Sequence, residues 1–162
     1  MVFQRPTPFP GSVLDNLRVA EPGLDEVAAA RVLEAVGLDG RFLARPATEL
    51  SGGEAQRVCL ARTLATDPEV VLMDEVTSSV DPAARVGLEA LARNLAARDV
   101  RVLWVTHDLE QMRRLADHVL VVIRGRIAYA GPYATLDTAA SPAVHRFLAA
   151  ALDADDEEVG ER

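Results

Sequence analysis

Apolar residues recur along this chain in two rhythms, and the change of rhythm separates helices from strands. Val2 and Phe3 look like the end of a strand, after which Pro6, Pro8 and Pro10 hold the backbone extended. Ser12 is placed to cap a short helix with Val13, Leu14 and Leu17 on one side, and Pro22 and Gly23 end it. A second helix over about 25–36 carries Val27, Ala30, Leu33 and Val36 at three-residue steps, with Gly37 as its stop. Ser51 and Glu54 form a capping-box pattern, and the helix they open runs through Arg57, Leu60 and Leu64 to about Thr66. Asp67 and Pro68 then interrupt, and Val70–Met73 is a continuous apolar run, the pattern of a strand buried on both faces of a parallel sheet.

The second half alternates in the same way. Ala84, Leu88, Leu91 and Leu95 mark a helix over about 83–97. Val102–Val105 reads as a second buried strand, and Asp108 caps a short helix that turns Leu109, Met112 and Leu115 or Ala116 inward. Val119–Ile123 is a third strand, and Gly125 turns it into a hairpin partner, Ile127–Ala130, broken by Gly131 and Pro132. Ser141 and Pro142 open a last helix that ends at Leu152, and the acidic residues from Asp153 onward form a disordered tail. The order of elements predicts an α/β fold with a mainly parallel sheet, a helical segment near the start, and a C-terminal hairpin and helix.

Three groups of residues call for more than a packing role. A capping box accounts for Ser51 and Glu54 but not for Gly52 and Gly53, each of which costs about 1 kcal/mol of helix propensity. Glycines there let an anion approach bare N–H groups at the positive end of the helix dipole, so the turn is a candidate phosphate cradle. Asp74 and Glu75 follow an apolar strand at its C-terminal end, the edge of an α/β sheet where ligands bind. In a strand they point to opposite faces, which leaves one to hold a metal and the other to handle water. Thr106, His107 and Asp108 repeat that placement after the next strand, which gives His107 a ligand-facing role, while Trp104 belongs to the core.

Composition narrows the classes. The 162 residues amount to one domain with a real core, at 49% hydrophobic content. A net charge of -8 argues against the basic face that nucleic acid needs, so no nucleic-acid partner is expected. The single cysteine, Cys59, excludes an internal disulfide and sits in an apolar stretch as a small core residue. No apolar run reaches the roughly 20 residues that span a bilayer, and prolines stand where a signal peptide needs an apolar helix. These features predict a soluble, cytoplasmic chain.

Taken together, the motifs resemble those of the nucleotide-binding subunit of ABC (ATP-binding cassette) transporters. LSGGE at 50–54 looks like the ABC signature, VVLMDE at 70–75 like the Walker B strand and SSVD at 78–81 like the D-loop. WVTHD at 104–108 matches the histidine switch, and VFQ at 2–4 the entry to the Q-loop. The resemblance implies an incomplete P-loop NTPase core of the ABC type over 1–152. Its parts are a strand end and Q-loop (1–11), a helical subdomain (12–49), the signature, Walker B, D-loop and H-loop core (50–131) and a C-terminal helix (132–152), with the acidic tail at 153–162. It assigns Asp74 to Mg²⁺, Glu75 to general-base catalysis, His107 to the γ-phosphate and Gln4 to the metal or its water. Ser51, Gly52, Gly53 and Glu54 would meet an ATP held by a second ATPase subunit, homo- or heterodimeric, and Asp81 would cross the same interface. The implied protein is an ABC-type ATPase that powers transport, peripheral on the inner face of the cell membrane and docked on transmembrane permease subunits through 12–49.

Two departures qualify the resemblance. Val76 stands where many relatives have proline, which leaves the acids in place. More important, the sequence contains no lysine and no G-x-x-x-x-G-K-[ST] run, so the Walker A loop is not among these residues. Because the family places that loop ahead of the Q-loop, the expectation is a chain truncated before it, inactive alone and with a gap in its sheet between 102–105 and 119–123. The alternative is a catalytically incompetent partner that donates its signature and D-loop to another subunit's ATP site. A soluble ABC ATPase of chromosome maintenance or translation fits less well, since there is no long heptad segment and no basic patch. Segments such as FPGSVLDN and DEVTSSVD resemble phosphate-import and metal-efflux ATPases too loosely to name a substrate.

Overall fold

Capping chemistry sets the helices. In the computed structural model, which describes residues 1–78, 80 and 82–160 and side chains as far as Ala151, α1 spans Val13–Ala20 behind a reciprocal Ser12–Asp15 box. The Ser12 hydroxyl accepts from the Asp15 N–H at 3.1 Å, and the Asp15 carboxylate accepts from the Ser12 N–H at 2.8 Å. Asp25 caps α2, Glu26–Ala35, by accepting from the Ala28 N–H at 2.8 Å. Gly37 follows at φ +74°, the left-handed geometry that ends helices. Two short 3-10 turns, Gly40–Ala44 and Ala47–Glu49, lead to α3, Gly52–Leu64.

Strand β1, Val70–Asp74, pairs in parallel with β2, Arg101–Val105, across the crossover helix α4, Pro82–Ala96. Val2 adds a bridge on the other edge of β1, giving its N–H to the Leu72 carbonyl at 2.8 Å and accepting from the Asp74 N–H at 3.0 Å. One apolar cluster joins Val13, Leu17, Ala29 and Leu33 to Val58 and Leu60 of α3 and to Val71 and Met73 of β1. The helical segment 12–49 therefore shares its core with the parallel strands. Cys59 is buried as expected, and that burial pushes its thiol up.

The chain forms two compact units, Met1–Val105 and Thr106–Arg162. The division falls inside the segment 50–131 expected as one core, because β2 belongs to the ladder of β1 and the later strands have a cluster of their own. In the second unit, α5 (Leu109–Leu115) precedes an antiparallel hairpin of β3 (His118–Ile123) and β4 (Arg126–Pro132). Arg124 and Gly125 both have positive φ, as a tight hairpin turn of matching twist requires. Val119, Val121 and Tyr129 pack with Leu136 of α6 (Leu136–Ala139) and Val144 of α7 (Pro142–Gly160).

Several expectations need correction. The apolar strands are not buried on both faces: Val71 and Met73 are buried, but Val70 is 53% and Leu103 54% exposed, and β3 alternates likewise. Among the described residues, helices cover only one side of each sheet. In α2, Val27 is 64% exposed, and the buried stripe is Ala29 and Leu33, continued just past the helix by Val36. A three-residue step advances only about 300°, so a stripe written at that spacing walks around the helix. Strand β4 continues through Gly131 and Pro132, since proline is tolerated at the end of an edge strand. Helix α7 runs past Leu152 to Gly160, through acids and alanines that offer no helix breaker, in place of the tail expected from Asp153; Glu161 and Arg162 lie outside the described residues.

Candidate functional site

The first part of the site is the start of α3. Ser51 is its N-cap, with its hydroxyl accepting from the Glu54 N–H at 3.3 Å and its own N–H donating to Glu54 Oε2 at 2.7 Å. Arg45 holds the other carboxylate oxygen, Nη1 to Oε1 at 3.1 Å, so both oxygens of Glu54 are engaged in building the turn. The box consumes the N–H groups of Ser51 and Glu54 and leaves those of Gly52 and Gly53 without a partner among the described residues. Neither glycine has a positive φ, and a Cβ on either would meet nothing within 4 Å. Conformation and packing thus give no reason for glycine here. What the missing side chains provide is open access to two helix-terminal donors.

The cap carries its own pH dependence. The Ser51 N–H holds the Glu54 carboxyl below its ordinary range, helped by the Ser51 hydroxyl and Arg45, although partial burial acts the other way. A carboxylate depressed in the fold stabilises it above the unfolded value, about 4.3, and loses that contribution as pH falls through the lowered folded value. Glu54→Gln is therefore expected to lower stability at pH 7 by about 0.3–1 kcal/mol. Urea titrations should show that penalty shrinking below about pH 4.

The second part is the C-terminal end of β1. Strand pairing ends at Asp74, and Glu75 turns into the left-handed region at φ 46° while its N–H donates to the Val105 carbonyl at 3.0 Å. The alternation that would send the two acids to opposite faces therefore stops before Glu75, which sits in a turn. That conformation is unfavourable for a residue with a Cβ, by about 1–2 kcal/mol, and is held by its surroundings. Val76 and Thr77 are buried, and Ser78 closes the turn by giving its N–H (3.1 Å) and hydroxyl (2.9 Å) to the Glu75 carbonyl. Gln4 reaches this turn from across the sheet: its Nε2 donates to Glu75 Oε2 at 3.0 Å and to Ser78 Oγ at 3.2 Å.

The structure thus brings Gln4, Asp74 and Glu75 to one strand edge, and Ser51, Gly52, Gly53 and Glu54 to one helix start. His107 opens the second unit between Thr106 and Asp108; Asp108 takes the Gln111 N–H at 2.7 Å and caps α5. Asp81 lies outside the described residues. Among the described residues no three His, Cys, Asp or Glu side chains cluster as a metal cage. Magnesium needs none, since it binds through one or two carboxylates with water and phosphate oxygens supplying the rest, and Asp74 with Gln4 fits that donor set. Reading the sequence alone missed Ser78 as a partner of Gln4, Arg45 as a partner of Glu54, and Gln56. Only Ser78 left a trace, at three residues beyond Glu75.

A family described as ABC transporter matches residues 1–78. Protein STAR1 of Oryza sativa subsp. japonica is 39% identical over 153 residues, covering 91% of this chain and 44% of that protein. Phosphate import ATP-binding protein PstB 2 of Mycobacterium tuberculosis is 42% identical over 143 residues, covering 82% of this chain and 51% of that protein. The solved structure of cbiO1 from Clostridium perfringens, described as part of the ABC transporter complex cbiONQ, superposes with a TM-score of 0.70 at 26% identity, over 81% of this chain and 55% of that one. The chain spans about half the length of the curated relatives it matches.

Proposed function

The chain belongs to the ABC transporter ATP-binding family, and on that premise we propose that it acts in an ATP-binding and ATP-hydrolysing subunit that powers solute transport as a head-to-tail dimer of ATPase subunits. The observation that carries this reading is the Gln4–Glu75–Ser78 contact at the end of β1. Glu75 is the general base that takes a proton from the attacking water, and Gln4 fixes the carboxylate that does so. Asp74, with Gln4, would hold Mg²⁺, which when bound neutralises charge on the phosphates. His107 contacts the γ-phosphate. Phosphoryl transfer asks mainly for such placement and charge stabilisation.

Ser51, Gly52 and Gly53 present their donors to the γ-phosphate of an ATP held by the opposite subunit, with Asp81 crossing the same interface. The phosphate-wrapping loop that completes this chain's own nucleotide site is not among the 162 residues. They are therefore expected to bind ATP weakly or not at all in isolation. Calorimetric titration with Mg·ATP tests this, and micromolar affinity would contradict it. A second reading, a partner that only donates its signature and D-loop, draws support from the open donors of Gly52 and Gly53. Phosphate release assigned separately to each site of the dimer distinguishes the two.

The permease partner sits on the first unit, where a cavity of about 290 Å³ is lined by Met1, Phe9, Val19, Ala20 and Arg62. Phe9 and Val19 are exposed there, and the Arg62 guanidinium stacks on the Phe9 ring at 4.6 Å. Val19→Asp is expected to reduce co-purification with the permease at least tenfold at unchanged melting temperature, because it places a charge in a desolvated contact. Undiminished recovery would move the docking surface elsewhere. No helix among the described residues is long and apolar enough to cross a membrane. The proposed location is therefore peripheral, on the cytoplasmic face beside the permease.

A further inference from the structure

Gln56 lies in the first half of α3 and is 2% exposed. Its Nε2 donates to the Phe3 carbonyl at 3.0 Å, while its Oε1 is buried with no hydrogen-bond partner. A buried amide with an unpaired acceptor is unfavourable, and a methionine of similar length would fill the same space without that defect. The bond it does make is to the carbonyl of the Phe3–Gln4 peptide, directly before the side chain that reaches Glu75 and Ser78. Val2, one residue earlier, is held to β1 through both its N–H and its carbonyl. Residues 2 and 3 are thus pinned from two elements, and Gln4 starts from a fixed peptide plane.

The geometry points to Gln56 as a positioning residue that locks the Phe3–Gln4 peptide to α3 and so fixes the point from which the Gln4 side chain reaches Glu75 and Ser78. This inference rests on the roles of Gln4 and Glu75 proposed above.

Two variants test it: Gln56→Met, which removes the amide, and Gln56→Asn, which keeps it one methylene too short to reach Phe3. In the 162-residue chain, NMR should place the Gln4 side-chain amide resonance apart from that of free glutamine, and both variants should return it toward the free value. Gln56→Met should melt at or above the wild-type temperature. An unmoved Gln4 resonance in both variants overturns the lock; so does a general loss of α3 and β1 protection in hydrogen exchange, which marks simple core damage. In the assembled ATPase the variants should lower kcat by about 10- to 100-fold with KM for ATP unchanged, the pattern of misplaced chemistry. A raised KM at full kcat overturns the link to hydrolysis. If the wild-type assembly releases no phosphate, the proposed function fails, and the Gln4 resonance still decides the lock.

Discussion

Glu75→Gln is expected to reduce ATP turnover by the assembled transporter about 10²–10⁴-fold while leaving nucleotide binding intact. The substitution preserves shape, and an amide oxygen can still accept from Gln4 Nε2, which now lies 3.0 Å from the carboxylate. What is lost is the capacity to take a proton from water. The left-handed backbone at residue 75 is no harder for glutamine than for glutamate, so the backbone of the turn is unaffected by the exchange. Nucleotide should therefore become trapped in the variant, with phosphate release nearly silent and the melting temperature unchanged. A variant that loses affinity and stability together would instead make Glu75 a structural part of the turn.

Gly53→Asp should separate stability from function even more sharply. Nothing lies within 4 Å of the position a Cβ would take, and the backbone is ordinary helix. Replacing glycine in a first helical turn by an acid should stabilise the isolated chain by about 0.3–1 kcal/mol through the helix dipole. The same carboxylate would stand before the two bare N–H groups and repel a phosphate. Hydrolysis at the opposite subunit's site should fall at least 100-fold, a loss like that of removing a preorganised donor from a developing charge. Unchanged hydrolysis would reduce the glycines to a tolerated sequence feature.

Local chemistry was legible in the sequence, and long-range chemistry was not. The Ser12, Ser51 and Asp108 caps and the Gly37 stop lie where short-range rules put them, because each is settled within about one helical turn. The strand-edge acids and the glycine pair could be singled out for the same reason. Which face of β1 is covered depends on helices far along the chain, and the apolar run alone could not show that Val70 is exposed. Gln4 meets Glu75 and Ser78 across more than 70 residues, and Gln56 meets Phe3 across 53, separations over which spacing carries no signal. Val27 was misplaced because three-residue spacing only approximates the helical period.

The account is tested most directly by phosphate release from the transporter purified with its permease, wild type beside Glu75→Gln. It predicts ATP-dependent release by the wild type and a loss of at least 100-fold in the variant at equal nucleotide binding. Equal release by both proteins, or none by the wild-type assembly, would contradict it.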